Sequence, residues 1–139
     1  MQRDERLRFT ALGIMRIGVA FLYWAHGAQK FMGWFGGFGP DGGTAGITTR
    51  FGVAGVIEFF GGLLVLLGLF TRPVAFLISG EMAIAYFWMH LPRGGFWPWL
   101  NRGEIVACFS LVFLYLAAAG GGAFSLDGLR AKRRAGSPV

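Results

Sequence analysis

Charged residues are scarce in this sequence: Asp, Glu, Lys and Arg make up 14% of the chain, against about 25% in ordinary soluble domains. Hydrophobic residues make up 55% of the 139 residues. This balance disfavours a soluble domain and predicts one small integral membrane domain that contacts the lipid bilayer. The net charge of +6 comes from basic residues between hydrophobic runs and near the C-terminus. It therefore predicts membrane orientation and contact with anionic lipid, and no nucleic-acid motif accompanies it.

Cysteine is almost missing too. Cys108 is the only one, and it lies inside an apolar run, which excludes an internal disulfide and a Cys-x-x-Cys dithiol. Haem, iron–sulfur and flavin motifs are also absent, so the sequence predicts no covalently bound cofactor and no redox centre of its own. His26 and His90 are the only histidines, and their helical phases do not obviously converge. No metal site is predicted.

A long apolar run is the main feature that the sequence does contain. Residues 51–70 carry one charge, Glu58, and as a helix they are about 30 Å long, the thickness of bilayer hydrocarbon. We interpret the run as membrane-spanning. A carboxyl group inside such a span is costly, so Glu58 should face protein and find a partner. Small residues around it, Gly55, Gly61 and Gly62, should let a neighbouring helix approach closely.

Three further apolar runs predict spans at about 9–30, 74–90 and 104–119. The predicted fold is all-α, an integral membrane four-helix bundle formed by a single domain over residues 1–139. Thr71-Arg72-Pro73 is interpreted as a tight connection between two spans, and residues 31–50 as an interfacial loop. Residues 125–139 are predicted to form a basic cytoplasmic tail.

The distribution of basic residues predicts the orientation. Eight Lys and Arg residues lie in the N-terminus, the turn at Arg72 and the tail, whereas four lie in the two long loops. By the positive-inside rule both termini are cytoplasmic, in a multi-pass protein of the cytoplasmic (inner) membrane. All five tryptophans then fall near the outer face, where an aromatic belt is expected.

Polar and small residues of the first span recur at steps of three and four, which places them along one seam. They are Gly13, Arg16, Ala20, Tyr23, Gly27 and Lys30. With alternating helix directions, Arg16 lies about 10 Å and Glu81 about 12 Å from the inner ends of their spans. The sequence therefore predicts a buried ion pair between Arg16 and Glu81, serving helix packing or, alternatively, a proton relay.

A second cluster is predicted near the outer face. Glu58 lies about 10 Å from the outer end of its span, at a depth that Lys30 and His26 can reach from the end of the first. With His90 they would form the polar floor of a pocket that opens outward and takes a quinone or another small substrate. One feature opposes this: His90 follows Glu81 by nine residues, about half a turn out of phase, unless the helix end unwinds. The alternative is a structural ion pair.

Short motifs follow one another along the chain: His26-Gly27-x-x-Lys30; Glu58-x-x-Gly61-Gly62-Leu63 continuing to Gly68-Leu69-x-x-Arg72; Ala85-x4-His90; Asn101-x-x-Glu104; and Gly122-x-x-Ser125-Leu126-Asp127. In the order and spacing of these motifs, the sequence resembles the DoxX family of small four-helix membrane proteins from about Leu12 to Asp127. It departs from the family's usual Gly-Pro-Gly before Ser-Leu-Asp, having three glycines. The Asn101 and Glu104 spacing is also close to that of a helix-capping box.

This resemblance implies a four-helix bundle in the cytoplasmic membrane and a link to quinone-coupled oxidoreductases. Related proteins serve as membrane subunits of thiosulfate:quinone oxidoreductase or occur beside redox enzymes. The leading hypothesis is a quinone-interacting membrane subunit that takes reducing equivalents from a soluble or membrane oxidoreductase partner. The rival is a non-catalytic assembly factor or scaffold whose buried charges are structural. A small-solute carrier is a third reading, and Gly-rich faces would suit a homo-oligomer.

Overall fold

The computed structural model describes residues 2–136, and its regular secondary structure is all helical, with no strand in that range. Residues 33–49 form a loop with a turn between Phe38 and Gly43. The all-helical prediction is confirmed for these residues. The helices are α1 Arg3–Met32, α2 Arg50–Leu67, α3 Thr71–Gly94, α4 Pro98–Asn101, α5 Glu104–Ala119 and α6 Leu126–Ala135.

Three of these helices, α1, α2 and α3, are long and apolar enough to cross a membrane. Helix α5 is equally apolar in character but shorter, at 16 residues. Large hydrophobic side chains such as Phe76 and Leu111 are exposed on the outside, whereas Arg16 and Glu58 are buried inside. This inverted distribution is the one expected where the surrounding solvent is lipid.

Helix boundaries differ from the predicted spans for identifiable reasons. Helix α2 ends at Leu67 because Gly68 adopts a left-handed backbone, with φ of 69°. The turn is therefore Gly68–Phe70, and Thr71-Arg72-Pro73 forms the first turn of α3, where a proline needs no N–H partner. The predicted tail contains helix α6, and its last residues, 137–139, lie outside the described range.

The helices pack as two pairs. Helix α1 lies along the whole of α2, and α3 lies along α5. Reciprocal hydrogen bonds join the second pair: Ser79 Oγ donates to the carbonyl of Ser110 at 2.8 Å, and Ser110 Oγ donates to the carbonyl of Ser79 at 3.0 Å. Contacts between the pairs are fewer, so the space between them is where a cavity can form.

The buried face of α1 is the predicted seam. Its buried residues are Gly13, Arg16, Ala20, Tyr23, Gly27 and Ala28, and Lys30 is half-buried. Glycines make the close approach of α1 and α2 possible, since a Cβ built on Gly27 would lie 2.8 Å from Cβ of Glu58, and one on Gly62 would lie 2.9 Å from Cα of Trp24. The two helices therefore meet nearly backbone to backbone.

Arg16 closes the end of the bundle that holds the turn Gly68–Phe70, which we call the inner end. Its guanidinium donates to the carbonyls of Val65 at 2.8 Å and Leu66 at 2.5 Å, at the C-terminal end of α2. It also donates to three carbonyls in the segment after α5, those of Gly121, Ala123 and Phe124. A cation at this position satisfies carbonyls that a helix end leaves without partners and complements the helix dipole.

The predicted Arg16–Glu81 ion pair is therefore wrong. The depth estimate took Phe9 as the inner boundary, but α2 ends level with Arg16, so Glu81 lies farther along the bundle. Glu81 instead accepts a hydrogen bond from Tyr23 Oη at 2.8 Å. Tyr23 follows Arg16 by seven residues, about 10 Å along the helix. Glu81 therefore lies about 10 Å from the level of Arg16, whereas the sequence estimate placed the two at the same depth.

Asp127 fixes the same end from the other side. Its carboxylate accepts from the backbone N–H groups of Phe70 at 3.0 Å and Thr71 at 2.8 Å, at the start of α3. Partial burial opposes its ionisation, but these N–H groups outweigh that effect and hold the pKa of Asp127 below its usual range. The motif that follows the last long helix thus acts as a cap for another helix.

Replacing Gly27 by Ala should destabilise the fold by about 1–3 kcal/mol, because the new Cβ would collide with the backbone of α2, which cannot shift cheaply. Gly18→Ala is the matched control, since no atom lies within 4 Å of its Cβ position. The measurement is thermal unfolding in detergent followed by circular dichroism. Equal midpoints for the two variants would contradict the close packing of α1 on α2.

Arg16→Met should cost more, above about 3 kcal/mol, because it retains the volume but leaves five carbonyls without their donor. Arg8→Met, on the exposed part of the same helix, is the control and should unfold like the parent. The measurement is the free energy of unfolding of both variants and of the parent in mixed micelles. A fully stable Arg16→Met protein would show that the guanidinium is dispensable.

Candidate functional site

A cavity of about 500 Å³ lies between the two helix pairs. Helices α1, α2, α3 and α5 all contribute to its lining. The four residues predicted to form a pocket lie together here: His26, Lys30, Glu58 and His90. Tyr23 and Glu81, which the sequence analysis placed elsewhere, line it as well.

Lys30 and Glu58 form the central contact of this cavity. Nζ of Lys30 lies 2.5 Å from Oε1 and 2.7 Å from Oε2 of Glu58, so the ammonium group bridges both carboxylate oxygens. The Glu58 side chain is 3% exposed and that of Lys30 is 19% exposed. Among residues 2–136 this is the one ion pair between side chains. Glu58 therefore faces protein and has the cation that its burial requires.

Local departures from α-helical geometry place two of the polar groups. The segment Ile57–Gly61 of α2, which contains Glu58, is a π-helical turn, and so is Tyr86–His90 of α3. Each π turn holds an extra residue relative to an α-helix and rotates the subsequent residues by about 100°. This rotation reduces the angular offset between Glu81 and His90 from about 180° to about 80°, and both line the cavity. Such turns are frequent at functional sites.

The Tyr23–Glu81 contact is a second polar element of the cavity wall. Tyr23 is 1% exposed, and its ring packs edge-on against Phe109 and Phe113 at centroid distances of 5.7 and 5.0 Å. This packing fixes the direction in which the hydroxyl group donates. Sequence reasoning recognised Tyr23 as a hydrogen-bonding member of the seam but assigned Glu81 to Arg16. The depths estimated from the sequence could not have paired them, since they place Tyr23 about 20 Å and Glu81 about 12 Å from the inner ends of their spans.

His26 occupies a different environment from the ion pair next to it. It is exposed to the open cavity, and its ring stands edge-on to Phe109 at a centroid distance of 6.1 Å. Because the ring is not enclosed by protein, it is free to donate or accept a hydrogen bond with a bound molecule. His26 therefore differs from Glu58, which is already engaged on both oxygens.

His90 is held by the loop that precedes α5. Its Nδ1 lies 3.1 Å from the carbonyl of Asn101, and a carbonyl can only accept, so Nδ1 is the protonated nitrogen and Nε2 is left for other contacts. The Asn101 side chain donates to Tyr86 Oη at 3.1 Å and to the Gly95 carbonyl at 2.8 Å. These bonds connect the π turn to the loop.

The capping role predicted for Asn101 and Glu104 is wrong in its details. Helix α5 begins at Glu104, with Gly103 as the residue before its first turn. The Asn101 side-chain oxygen accepts from the backbone N–H of Gly103 at 2.8 Å, inside the loop and before the helix. Asn101 is 4% exposed. It is therefore an organiser of the loop around His90, and Glu104 is an exposed first residue of α5.

The cavity is open at one side. Helices α2 and α3 are joined by the turn Gly68–Phe70 and contact each other near it, but not extensively toward their other ends. Several apolar residues that line the cavity are exposed on the outside of the bundle, namely Val53, Ile84, Trp88 and Ile105. Arg50 and Arg93 lie at the rim. The walls are thus mainly apolar, and each of the two polar contacts, Lys30–Glu58 and Tyr23–Glu81, includes one residue of α1.

Comparisons with known proteins identify the family of the chain. The family model named DoxX matches residues 11–91. The chain is also 42% identical over 129 residues to a Haemophilus influenzae protein named only as an uncharacterized protein, covering 91% of this chain and 96% of that one. No solved structure matches the chain. Since the family model covers more than half of its length, the chain belongs to the DoxX family of membrane proteins.

Proposed function

We propose that this protein is a membrane subunit that binds a quinone in the cavity between the helix pairs and serves an oxidoreductase partner. The observation that carries the proposal is the combination of apolar walls, an opening between α2 and α3, and a polar side with the Lys30–Glu58 pair and the Tyr23–Glu81 contact. A lipid-soluble molecule with a polar ring needs apolar walls for its hydrocarbon part and hydrogen-bonding groups for its ring.

The polar side offers suitable contacts for a quinone ring. A quinone carbonyl accepts hydrogen bonds, and Lys30 and His26 bring N–H donors to the same cavity, whereas Nε2 of His90 could accept a hydrogen bond from a quinol hydroxyl. Reduction of a quinone to a quinol consumes two electrons and two protons. Glu81, with Tyr23 behind it at 2.8 Å, and His26 would be the two groups that exchange these protons with the ring. The sequence has no redox motif, so the electrons would come from the partner.

The opening between α2 and α3 would be the route of entry. Its exposed residues, such as Val53 and Trp88, would contact acyl chains in a bilayer. A quinone carries a long apolar tail, which would lie between the two helices while the ring reaches the polar side. This geometry requires no passage through the water phase, and the fastened inner end favours a binding role over a carrier role.

The membrane placement that suits this role has four crossings, with α5 as the fourth, and both termini in the cytoplasm of a cell with the protein in its inner membrane. The basic residues at the inner end support this orientation. The shorter length of α5, 16 residues, would be compensated by the loop before it and by local thinning of the bilayer.

A scaffold or assembly role is the second candidate, and one observation favours it. Lys30 already satisfies both oxygens of Glu58, and Gly55 packs against Lys30, with its Cβ position 2.8 Å from Cβ of the lysine. This pair could therefore serve only to hold α1 on α2. The two candidate functions make different predictions for a folded variant without the Glu58 charge. Such a variant would lose quinone affinity if the protein binds quinone, and would keep its function if the pair is only structural.

Glu58→Gln should weaken binding of a short-chain ubiquinone analogue about 10- to 100-fold, because the change releases Lys30 from its position and removes a charged hydrogen bond. Binding is measured by titration calorimetry on protein in nanodiscs, with folding checked by circular dichroism. Glu104→Gln, at an exposed residue that does not line the cavity, should bind like the parent. Folded Glu58→Gln protein with parental affinity would favour the scaffold role, as would a parent that binds no quinone.

Reporter fusions test the four-crossing arrangement. Alkaline phosphatase joined after Gly95, in the loop before α5, should be active outside the cytoplasm, whereas a fusion after Gly136 should be inactive. A fluorescent protein at the same two positions should give the opposite pattern. If both phosphatase fusions were active or inactive together, α5 would not cross the membrane.

A further inference from the structure

Helix α6 is fastened beside the turn between α2 and α3. Besides the bonds that Asp127 accepts from Phe70 and Thr71, its own N–H donates to the carbonyl of Gly68 at 2.9 Å. One turn later, the guanidinium of Arg130 lies over the ring of Phe70, 5.4 Å from its centroid. The helix therefore starts at the level of the bundle's inner end and stays against it for at least its first turn.

Four large apolar side chains surround this attachment and are exposed. They are Phe70, Phe124, Leu126 and Leu129, which we call the inner apolar patch. Phe70 and Phe124 have φ values of 51° and 57°, a left-handed backbone that is unfavourable for a bulky side chain and that glycine would adopt freely. Both rings nevertheless point outward, with 55% and 74% of their surface exposed.

Basic side chains accompany this patch. Arg130, Lys132, Arg133 and Arg134 are all exposed on α6. The one acidic residue of the helix, Asp127, is engaged by the N–H groups of α3 and does not pair with them. Leu126 and Leu129 are three residues apart and share a face of the helix. A helix that combines an apolar face with many cations binds the boundary between lipid headgroups and acyl chains.

We propose that α6 lies in the plane of the membrane interface and binds the phosphate groups of anionic phospholipids, with the inner apolar patch inserted among the acyl chains. Charge complementarity and the continuity of the patch with the apolar outside of the bundle favour lipid over an acidic protein. This inference concerns the end of the bundle opposite the open part of the cavity, and it does not depend on the proposed quinone.

Single labels test the position of the helix. In a Cys108→Ser background, which contains no other cysteine, an environment-sensitive fluorophore is placed at Leu129→Cys or Ala131→Cys. Positions 129 and 131 are two residues apart and therefore about 200° apart around the helix axis. The two labels thus sample opposite sides of α6. In nanodiscs of phosphatidylglycerol and phosphatidylcholine, the label at 129 should be quenched by nitroxide-bearing phosphatidylglycerol, and the label at 131 by aqueous acrylamide. Equal exposure of both labels to acrylamide would overturn the proposal.

Neutralisation of charge tests the lipid class. Changing Lys132, Arg133 and Arg134 together to Gln should reduce the quenching at position 129 by nitroxide-bearing phosphatidylglycerol severalfold, to the level given by the same fraction of nitroxide-bearing phosphatidylcholine. The matched control changes three exposed arginines of the other end, Arg50, Arg93 and Arg102, and should keep the quenching. Unchanged quenching in the α6 variant, or an equal loss in both variants, would refute recognition of the anionic headgroup.

Discussion

The cost of placing ionisable groups in lipid is the constraint on which this structure depends. Each buried charge must find compensation within the bundle, and the chain supplies it in two different ways. Arg16 is compensated by five backbone carbonyls, whereas Glu58 is compensated by the ammonium group of Lys30. The first solution uses up every donor of the side chain. The second leaves neighbouring polar groups available.

This difference divides the bundle into two ends with different properties. At the inner end, Arg16 and Asp127 connect α1, the end of α2, the start of α3 and the segment after α5 through backbone groups. Such contacts fix geometry and expose little chemistry. At the other end, the polar groups are side chains that face a common cavity. The π turns that contain Glu58 and His90 direct these two side chains to the cavity and interrupt the regular α-helical hydrogen bonding of α2 and α3.

Much of this arrangement could be predicted from the sequence, because a membrane helix must sort its residues by polarity. The seam of α1, the need of Glu58 for a cation and the close approach at Gly55 and Gly62 all follow from spacing and side-chain size. The partner of Arg16 could not be predicted in this way, since backbone carbonyls of a distant loop leave no sequence pattern. The π turn before His90 was equally hidden, because a helical repeat of 3.6 residues assumes that no residue is inserted.

The short turn Gly68–Phe70 has a mechanical consequence. The turn joins α2 and α3 at one end only. It can therefore act as a hinge between the two helix pairs, and Asp127 holds this hinge in place. Helix α2 has 18 residues and is about 27 Å long. A rotation of about 5° at the hinge would therefore move the other ends of α2 and α3 apart by roughly 2 Å. Rotations too small to break the hydrogen bonds of the hinge would then set the width of the opening between α2 and α3, and with it the size of the molecule that can enter.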